Sequence, residues 1–435
     1  MENKKYYIIG GAILFLIIIL GAAFAFSGGP KKVANKEVEL TWWKTFEDPE
    51  NLSELIGDYQ SAHKNVRIKY VKKDINDYEQ ELLNAIASGK GPDIFTIHND
   101  WLAKHIEKMA PAPDKLIGQR AFMDTYVDVV SSDFVKDGRV YAIPLSIDTL
   151  ALYYNKDILG SAGIAQPPKT WPQLIDDVQK ITVQSKPGTF SKSGVAFGAS
   201  SNVNRAVDIL TLLMLQNGTK FYSDSLNMAT FDQSIFDQGS TESFNPGAKA
   251  LEFYTQFSDP AKKTYTWNAK TDFSVDSFAQ GKLAMMLSYY YMKPTIENRS
   301  PNLNFAIAPV PQTTELGDKV NFANYWGEAV YKLSPNADEA WNFLAFLSGK
   351  ESQKKYYSKH SLPSARRDII SEQISDENLG VFAESALTAK SVYKKDASLY
   401  EGIFLKMIDD VVLRSFRPEE AVRNAVAQVN LILQK

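Results

Sequence analysis

The part of the sequence that most restricts the possible folds is residues 37–98, where strand-like and helix-like patterns alternate. The predicted elements run in the order strand, helix, strand, helix, strand, at residues 37–43, 51–63, 66–71, 78–88 and 93–98. Strands that alternate with helices of this length form a parallel sheet with helices on both faces. Such sheets bind ligands at the carboxyl ends of their strands. The sequence therefore predicts an α/β protein with a site near these ends.

Two strand ends in this segment carry tryptophan. Trp42 and Trp43 end the first predicted strand, while Asp100 and Trp101 follow the third. Because the carboxyl ends of parallel strands meet at one edge of a sheet, we expect these rings and this carboxylate to lie together.

A short polar step at residues 144–149 separates an apolar run that ends in Ile143 from another at 150–154. Two half-buried strands joined by such a link are typical of a passage between domains. The predicted hinge consists of Ser146, Ile147, Asp148 and Thr149. The carboxylate of Asp148 is expected to face the cleft, and a second crossing is predicted at residues 322–331.

The length of 435 residues, with the first 36 set aside, suggests roughly two domains of about 150 residues each. The net charge of −3 argues against a nucleic-acid partner, because binding to phosphates requires clustered Lys and Arg. The lysines of this chain are instead scattered among acidic residues.

Residues 6–26 are a run of 21 uncharged, mainly apolar residues, preceded by Lys4 and Lys5. A helix of about 20 apolar residues spans a bilayer, and basic residues in front of it place residues 1–5 in the cytoplasm. The sequence Ala23-Phe24-Ala25 leaves a cleaved signal peptide as the alternative, although signal cores are shorter, about 7–15 residues. Either interpretation exports the remainder, after a polar linker at 27–36. We predict a single-pass membrane protein whose C-terminal part is extracellular or periplasmic.

Signatures of catalysis and of metal binding are absent from the sequence. The chain has no Cys, no glycine-rich phosphate loop, no Gly-x-Ser-x-Gly elbow and no His-Glu-x-x-His motif. His98 and His105 are seven residues apart, but no third ligand is in register with them. We therefore predict a protein that is not an enzyme and has no metal or cofactor.

Several aromatic residues follow strand ends or lie in a crossing, namely Trp43, Trp101, Tyr291 and Trp326. A ring at such a place can stack on an apolar face of a ligand, while nearby acids accept hydrogen bonds from hydroxyl groups. The alternative is that these rings only pack the interface between domains.

Seven segments carry a resemblance to a known family, and they occur in the family's order. They are LTWWKTF (40–46), GKGPDIFTIHNDWLAK (89–104), DGRVYAIPLSIDTLALYYNKDI (137–158), PPKTWPQL (167–174), FAQGKLAMMLS (278–288), FAIAPVP (305–311) and LSPNADEAWNFLAFLS (333–348). From residue 37 onward, the chain resembles family 1 of the extracellular solute-binding proteins of ABC transporters, which includes maltodextrin-binding proteins.

The resemblance implies a two-lobed α/β fold of the periplasmic-binding-protein type (type II), with a ligand cleft between lobes that the chain crosses more than once. The first lobe is expected at residues 37–146 plus about 328–375, and the second at about 147–327 plus about 376–435. By position, the resemblance implies that Asp100 hydrogen-bonds sugar hydroxyls.

The same comparison implies that Asp148 is the acidic hinge residue and Tyr291 a sugar-stacking ring, and it places Trp326 where many relatives have one. Maltodextrin binders also carry a ring before the first acid, where this chain has Ile97. The complete set of predicted ligand-binding residues is Trp42, Trp43, Asp100, Trp101, Asp148, Tyr290, Tyr291, Tyr325, Trp326 and Glu328.

The resulting functional prediction is a monomeric, membrane-anchored receptor that captures a sugar or oligosaccharide and delivers it to the permease subunits of an ABC importer. Two alternatives remain open. One is a binding protein for another small solute, such as a peptide or polyamine. The other is an exported glycoside hydrolase that uses paired carboxylates such as Asp100 and Asp148.

Overall fold

The computed structural model of the protein describes residues 37–236, 243–359 and 361–434. Within these ranges, no helix combines the length and the hydrophobicity that are needed to cross a bilayer. The predicted cytoplasmic residues 1–5, membrane segment 6–26 and linker 27–36 lie outside the described residues.

The first part of the chain alternates strands and helices as predicted and then continues in shorter elements. The elements are β1 (Val38–Thr45), α1 (Pro49–Ala62), β2 (Val66–Lys73), α2 (Tyr78–Ala87), β3 (Ile94–His98), α3 (Leu102–His105), β4 (Met109–Ala110), α4 (Gln119–Thr125), α5 (Asp128–Phe134), β5 (Val135–Lys136), β6 (Arg139–Val140) and β7 (Ala142–Pro144).

The middle of the chain forms a second α/β unit and then returns to the first. The elements are β8 (Asp148–Thr149), β9 (Ala151–Asn155), α6 (Lys156–Ser161), α7 (Trp171–Ile181), β10 (Val183–Lys186), β11 (Thr189–Val195), α8 (Ala206–Gln216), β12 (Ile235–Phe236), β13 (Ser243–Phe244), α9 (Pro246–Thr255), α10 (Ser274–Ala279), β14 (Leu283–Ser288), α11 (Lys293–Arg299), β15 (Phe305–Ala308), β16 (Asn321–Asn324) and β17 (Trp326–Tyr331).

The last part of the chain is mainly helical. The elements are α12 (Ala337–Ser348), α13 (Lys350–Lys359), α14 (Arg367–Gln373), α15 (Gly380–Ala386), β18 (Ala389–Lys390), α16 (Ala397–Val412) and α17 (Pro418–Leu433).

The predicted parallel sheet is present, because β1 lies between β2 and β3 and runs parallel to both. β17 continues this sheet in antiparallel pairing with β3, and it also pairs with β4 and β7. A second sheet has the strand order β10-β11-β14-β9-β15. Each sheet packs against helices, so the molecule contains two α/β units, each built on its own sheet.

Buried apolar residues form two separate clusters, which define two lobes. The cluster of the first lobe surrounds the β1–β3 sheet and includes Leu40, Trp42 and Trp341. The cluster of the second lobe surrounds the β9–β14 sheet and includes Tyr153, Trp171 and Met285. The two-lobed fold is thereby confirmed at the level of the cores.

Three short strands lie where the chain passes from one core to the other. The residue pairs that mark these passages, one member in each core, are Ile147 and Leu150, Phe322 and Ala323, and Ala389 and Val392. The strands β8, β16 and β18 of these passages lie side by side in a small sheet, with β16 in the middle. The predicted hinge at residues 146–149 therefore lies beside the two other connections.

The predicted lobe boundaries stay predictions. Around the boundary expected near residue 375 the chain contacts both clusters in turn. Ile370 belongs to the first-lobe cluster and Leu379 to the second, and the clusters change once more between Ala389 and Val392. Helix α15 packs on both cores, with Phe382 in one cluster and Ala383 in the other.

Candidate functional site

A cleft of about 1300 Å³ lies between the two lobes. The first lobe lines it with the residues that follow β1 and β3. The second lobe lines it with the start of α8 and the residues after β14, and the passages between the lobes complete the lining. The predicted residues that line it are Asp100, Trp101, Ser146, Ile147, Asp148, Tyr290, Tyr291, Tyr325 and Trp326.

Aromatic rings cover the first-lobe side of the cleft. Trp326, at the start of β17, contacts Trp101 edge-to-face with ring centroids 5.3 Å apart. Trp326 also contacts the rings of His98 and Phe46, with centroid distances of 5.0 Å and 5.6 Å. The pairing of Trp326 with His98 in the sheet places these rings at the end of β3. The arrangement offers a partly exposed aromatic surface to a ligand.

The second-lobe side presents Tyr291, whose residue surface is 39% exposed. Its ring stacks on Tyr289 with centroids 5.9 Å apart, and its hydroxyl accepts a hydrogen bond from Arg205 Nε at 2.9 Å. The Tyr289 hydroxyl donates to Asp208 at 3.0 Å. These contacts hold Tyr291 in one orientation on the second-lobe side of the cleft.

The hinge carboxylate of Asp148 is bound to the backbone of the second lobe. Asp148 Oδ1 accepts from the N–H groups of Thr149 at 2.8 Å and Tyr290 at 2.9 Å, and Oδ2 accepts from the N–H of Tyr291 at 3.1 Å. Burial raises the pKa of Asp148, and these N–H groups act in the opposite direction. Asp148 thus links the first passage to the segment that carries Tyr291.

The carboxylate of Asp100 lies in a buried polar chain at the floor of the cleft. Asp100 Oδ1 is 2.5 Å from His98 Nδ1, and Asp100 Oδ2 is 2.8 Å from Lys394 Nζ. His98 Nε2 lies 2.5 Å from Asn324 Oδ1. Burial lowers the pKa of His98, but the Asp100 carboxylate outweighs burial and raises it above its usual value.

This polar chain joins both lobes. His98 ends β3 of the first lobe and Asp100 follows it, whereas Asn324 ends β16 and Lys394 follows the third passage. Both oxygens of Asp100 therefore have partners within the protein. Asp100 reaches the cleft wall but is not a free acceptor in this arrangement.

Two of the predicted tyrosines contribute little surface to the cleft, because both are buried. The hydroxyl of Tyr325 donates to Asp133 at 2.5 Å, and the Tyr290 ring packs edge-to-face on Phe382 at 5.1 Å. These rings support the cleft wall from behind.

The chain matches a family model over residues 43–354, and the model describes bacterial extracellular solute-binding proteins. The matched residues are more than half of the chain and span both lobes. The protein belongs to this family. The resemblance that the sequence segments indicated is thereby confirmed, and the family is one of ligand-binding proteins.

Relatives and solved structures agree with membership of the solute-binding protein family. The maltodextrin-binding protein MdxE of Bacillus subtilis is 24% identical over 72% of this chain and 69% of its own. The sn-glycerol-3-phosphate-binding periplasmic protein UgpB of Yersinia enterocolitica is 23% identical over 96% of each chain. The crystal structure of the cyclic alpha-maltosyl-1,6-maltose binding protein of Arthrobacter globiformis superposes with a TM-score of 0.74, at 20% identity, covering 91% of this chain and 99% of that one.

Three of the predicted ligand-binding residues do not line the cleft of this solute-binding protein. Trp42 and Glu328 are fully buried in the first-lobe core, where the indole Nε1 donates to Glu328 Oε2 at 2.7 Å. Trp43 points to the opposite face of β1, where Lys73 Nζ lies 3.8 Å from its ring centroid. Alternate residues of a strand point to opposite faces, and β1 continues past both tryptophans to Thr45, so neither ring lines the cleft. We correct all three to structural positions.

Thr149, which belongs to the predicted hinge, is also buried, and its backbone pairs with Ala323 of β16. It lies in the passage as predicted, but its side chain does not line the cleft.

Several cleft residues of the solute-binding protein were not predicted from the sequence. They are Phe46, His98, Arg205, Asn324 and Lys394. Phe46 stands at the end of the segment LTWWKTF, directly after β1, so its position at a strand end was an available signal. Arg205 and Lys394 had no such local signal, because only the tertiary fold brings them to the cleft. Among the described residues, no group of three acidic, histidine or cysteine side chains is placed to hold a metal ion.

Proposed function

We propose that the protein is the substrate-binding component of an ABC importer and captures an uncharged sugar or oligosaccharide between its two lobes. The observation that carries this proposal is the placement of partly exposed rings on both sides of one cleft, Trp326 and Trp101 on the first lobe and Tyr291 on the second. Such rings stack on the apolar faces of sugars, while polar neighbours bind hydroxyl groups. Several relatives and structural neighbours are named for the saccharides that they bind, which supports the same conclusion.

The charges that line the cleft favour an uncharged ligand. Asp100 is paired with Lys394 at 2.8 Å, Lys44 with Glu328 at 2.5 Å, and Arg205 with Asp208 at 4.0 Å. A charged ligand group gains most from an oppositely charged partner that is not already compensated. This pairing favours a saccharide over an anionic solute of the kind named for the Yersinia relative.

The proposed cycle requires contacts from both lobes. A ligand that touches Trp326 on one side and Tyr291 on the other gains free energy only when the lobes approach, and this differential affinity drives closure about the passages. We propose that the passages at residues 146–149 and 322–326 supply the rotation. The loaded monomer then delivers its ligand to the permease, and residues 6–26 tether it as a single-pass anchor with the lobes outside the cell.

A thermal-shift screen of the full-length protein tests the proposed function. A ligand that binds only the folded state stabilises it by RT ln(1 + [L]/Kd), about 2.7 kcal/mol at 100 times Kd. We expect maltotriose, raffinose or stachyose to raise the melting temperature, without hydrolysis of the sugar. A rise with only amino acids, peptides, polyamines or sn-glycerol 3-phosphate would overturn the carbohydrate proposal, and turnover of a saccharide would indicate a hydrolase.

Replacement of Trp326 tests the aromatic side of the proposal. We expect Trp326→Ala to weaken saccharide binding by at least about 1 kcal/mol, because a stacked ring contributes about that much beyond its burial. Isothermal titration calorimetry measures the change, and circular dichroism verifies the fold. Trp43→Ala is the matched control, since this ring lies on the opposite face of β1. Equal affinities of the two variants would place Trp326 outside the ligand contacts.

A further inference from the structure

The chain makes a strained turn where β1 reaches the cleft. Phe46 has a φ of 68°, and the N–H of Glu47 donates to the carbonyl of Thr45 at 2.8 Å. A three-residue turn with this hydrogen bond and a positive central φ is the rare form of the γ-turn. A bulky non-glycine residue at positive φ is a genuine outlier. The fold thus holds Phe46 in a conformation that its side chain disfavours.

Long-range contacts keep this turn in place. The hydroxyl of Tyr70 donates to the backbone carbonyl of Glu47 at 2.7 Å, and the hydroxyl of Tyr356 donates to the Glu47 carboxylate. Lys44 Nζ lies 3.5 Å from the same carboxylate. Strain persists only when the surroundings over-determine the conformation, and it concentrates at functional sites.

The turn exposes the ring of Phe46 to the cleft instead of burying it. The residue is 58% exposed and lines the cleft, and its ring meets Trp326 edge-to-face. The ring of Trp326 contacts both Phe46 and Trp101, so these three rings form one continuous aromatic cluster at the cleft. A folding argument alone does not explain an apolar ring that is both strained and exposed, because glycine or asparagine fits this backbone better.

A comparison with the other strained positions supports a role in binding. Among the described residues, the non-glycine residues with positive φ are Phe46, Asp137, Arg205, Leu226 and Ser415. Two of them, Phe46 and Arg205, line the cleft, one from each lobe. Arg205 donates a hydrogen bond to the Tyr291 hydroxyl, so this strained residue helps to position a ring on the second-lobe wall of the cleft.

We infer that Phe46 is a specificity-determining residue that stacks on a second sugar ring, adjacent to the ring covered by Trp326, and thereby selects oligosaccharides over monosaccharides. The inference rests on the proposed function. Its physical basis is the spacing and tilt of two rings, since the centroids of Phe46 and Trp326 are 5.6 Å apart and their planes differ by 65°. Because one flat sugar face cannot stack on two rings with this tilt, a ligand that stacks on both needs a second sugar ring. The strained turn fixes the direction of the Phe46 ring before the ligand arrives, which reduces the ordering cost of binding.

Four full-length proteins test the inference, namely the wild type, Phe46→Gly, Phe46→Tyr and Leu226→Gly. Phe46→Gly removes the ring and relieves the strained φ, whereas Phe46→Tyr keeps a ring. Leu226→Gly relieves a similar strain, φ 56°, at an exposed apolar residue that does not line the cleft. The probes are maltotriose and stachyose, with glucose and galactose as monosaccharides, and calorimetry measures their affinities.

We expect Phe46→Gly to weaken oligosaccharide binding by roughly 3- to 10-fold, the equivalent of one stacked ring. Its monosaccharide binding and unliganded melting temperature are expected to match or exceed those of the wild type. Phe46→Tyr and Leu226→Gly are expected to bind every probe as the wild type does.

Unchanged oligosaccharide affinity of Phe46→Gly would overturn the inference while leaving the proposed function intact. An equal loss for oligosaccharides and monosaccharides would also overturn it, as would a lowered melting temperature of Phe46→Gly that accounts for the lost binding. A wild-type protein that binds none of the saccharides would overturn the proposed function and, with it, the role of Phe46.

Discussion

We expect Glu328→Ala to lower the free energy of unfolding by about 3–5 kcal/mol, because it leaves a buried lysine without its counter-charge. Glu328 is fully buried and accepts hydrogen bonds from Lys44 Nζ at 2.5 Å, Trp42 Nε1 at 2.7 Å and Thr96 Oγ1 at 2.8 Å. Burial lowers the pKa of Lys44, but Glu328 and Glu47 outweigh it and raise the pKa above its usual value. Without Glu328, burial still lowers the pKa of Lys44 and only Glu47 opposes it. The variant therefore either keeps a buried charge without its main partner or deprotonates the lysine, and both outcomes cost stability. Urea denaturation at neutral pH measures the loss.

Two further variants show whether the buried charge is the cause. Glu384→Ala removes a carboxylate that pairs with Lys319 at 2.9 Å on the surface, and it is expected to cost less than about 1 kcal/mol. The double variant Lys44→Met/Glu328→Leu removes both buried charges and is expected to regain most of the lost stability. If Glu328→Ala were no more destabilising than Glu384→Ala, the pair would not stabilise the first lobe.

This buried pair also fixes the first-lobe wall of the cleft. Lys44 precedes the strained turn of Thr45, Phe46 and Glu47, and its ammonium group contacts Glu328 in β17 and Glu47 in the turn. β17 begins with Trp326, so one charge cluster connects the two strand ends that carry the rings. The position of the aromatic surface therefore depends on charges that are hidden beneath it.

Local periodicity was sufficient to predict the framework of the site. The alternation of strands and helices over residues 37–98 and the polar step at 146–149 depend on neighbours in sequence, and both features are present in the structure. The predicted strand at residues 93–98 agrees with β3, and Asp100 and Trp101 at the cleft follow its end directly. The edge of the sheet at which the site lies was thus predictable.

The end of β1 was predicted less well. Because of this error, Trp42 and Trp43 were assigned to the site instead of Phe46. The strand was expected to stop at residue 43 but continues to Thr45. Extending the strand by two residues moves its carboxyl end from Trp43 to Thr45, and Phe46 becomes the first residue after it. Trp42 then lies inside the strand and faces the core, with Glu328 as its hydrogen-bond acceptor.

The partners of the cleft carboxylates were not predictable from local pattern. Lys394 is 294 residues from Asp100 in sequence, and no periodicity or spacing relates them. The same holds for the three backbone N–H groups that surround Asp148, two of which belong to a segment more than 140 residues away. Whether a carboxylate is free for a ligand depends on such contacts, so its role requires the tertiary structure.

We expect Asp100→Ala to lower the free energy of unfolding by about 3–5 kcal/mol, because it breaks a buried ion pair between the lobes. The side chains of Asp100 and Lys394 are 6% and 11% exposed, and His98 loses its partner in the same variant. If Asp100 instead served mainly as an acceptor for sugar hydroxyls, the affinity for saccharides would fall while the free energy of unfolding changed little. Calorimetric titration and urea denaturation of the same preparation separate these results.

A matched control lies in the same two segments of the chain. Lys104 pairs with Asp396 at 3.2 Å, but its side chain is 32% exposed, so we expect Lys104→Ala to cost less than about 1 kcal/mol. The double variant Asp100→Leu/Lys394→Met, which leaves neither charge of the buried pair, is expected to recover most of the stability lost in Asp100→Ala.

The pH dependence of the loss provides an independent measure of the buried pair. Burial raises the pKa of Asp100, but the charges of His98 and Lys394 outweigh it and hold the pKa well below its usual range. A carboxyl group with a lowered folded-state pKa stabilises the protein above its unfolded pKa of about 4, and this contribution is lost as the pH falls. We therefore expect the difference in unfolding free energy between the wild type and Asp100→Ala to be largest near neutral pH and to shrink below about pH 4. A difference that stays constant as the pH falls through this range would contradict the ion pair, because only the ionised carboxylate attracts Lys394.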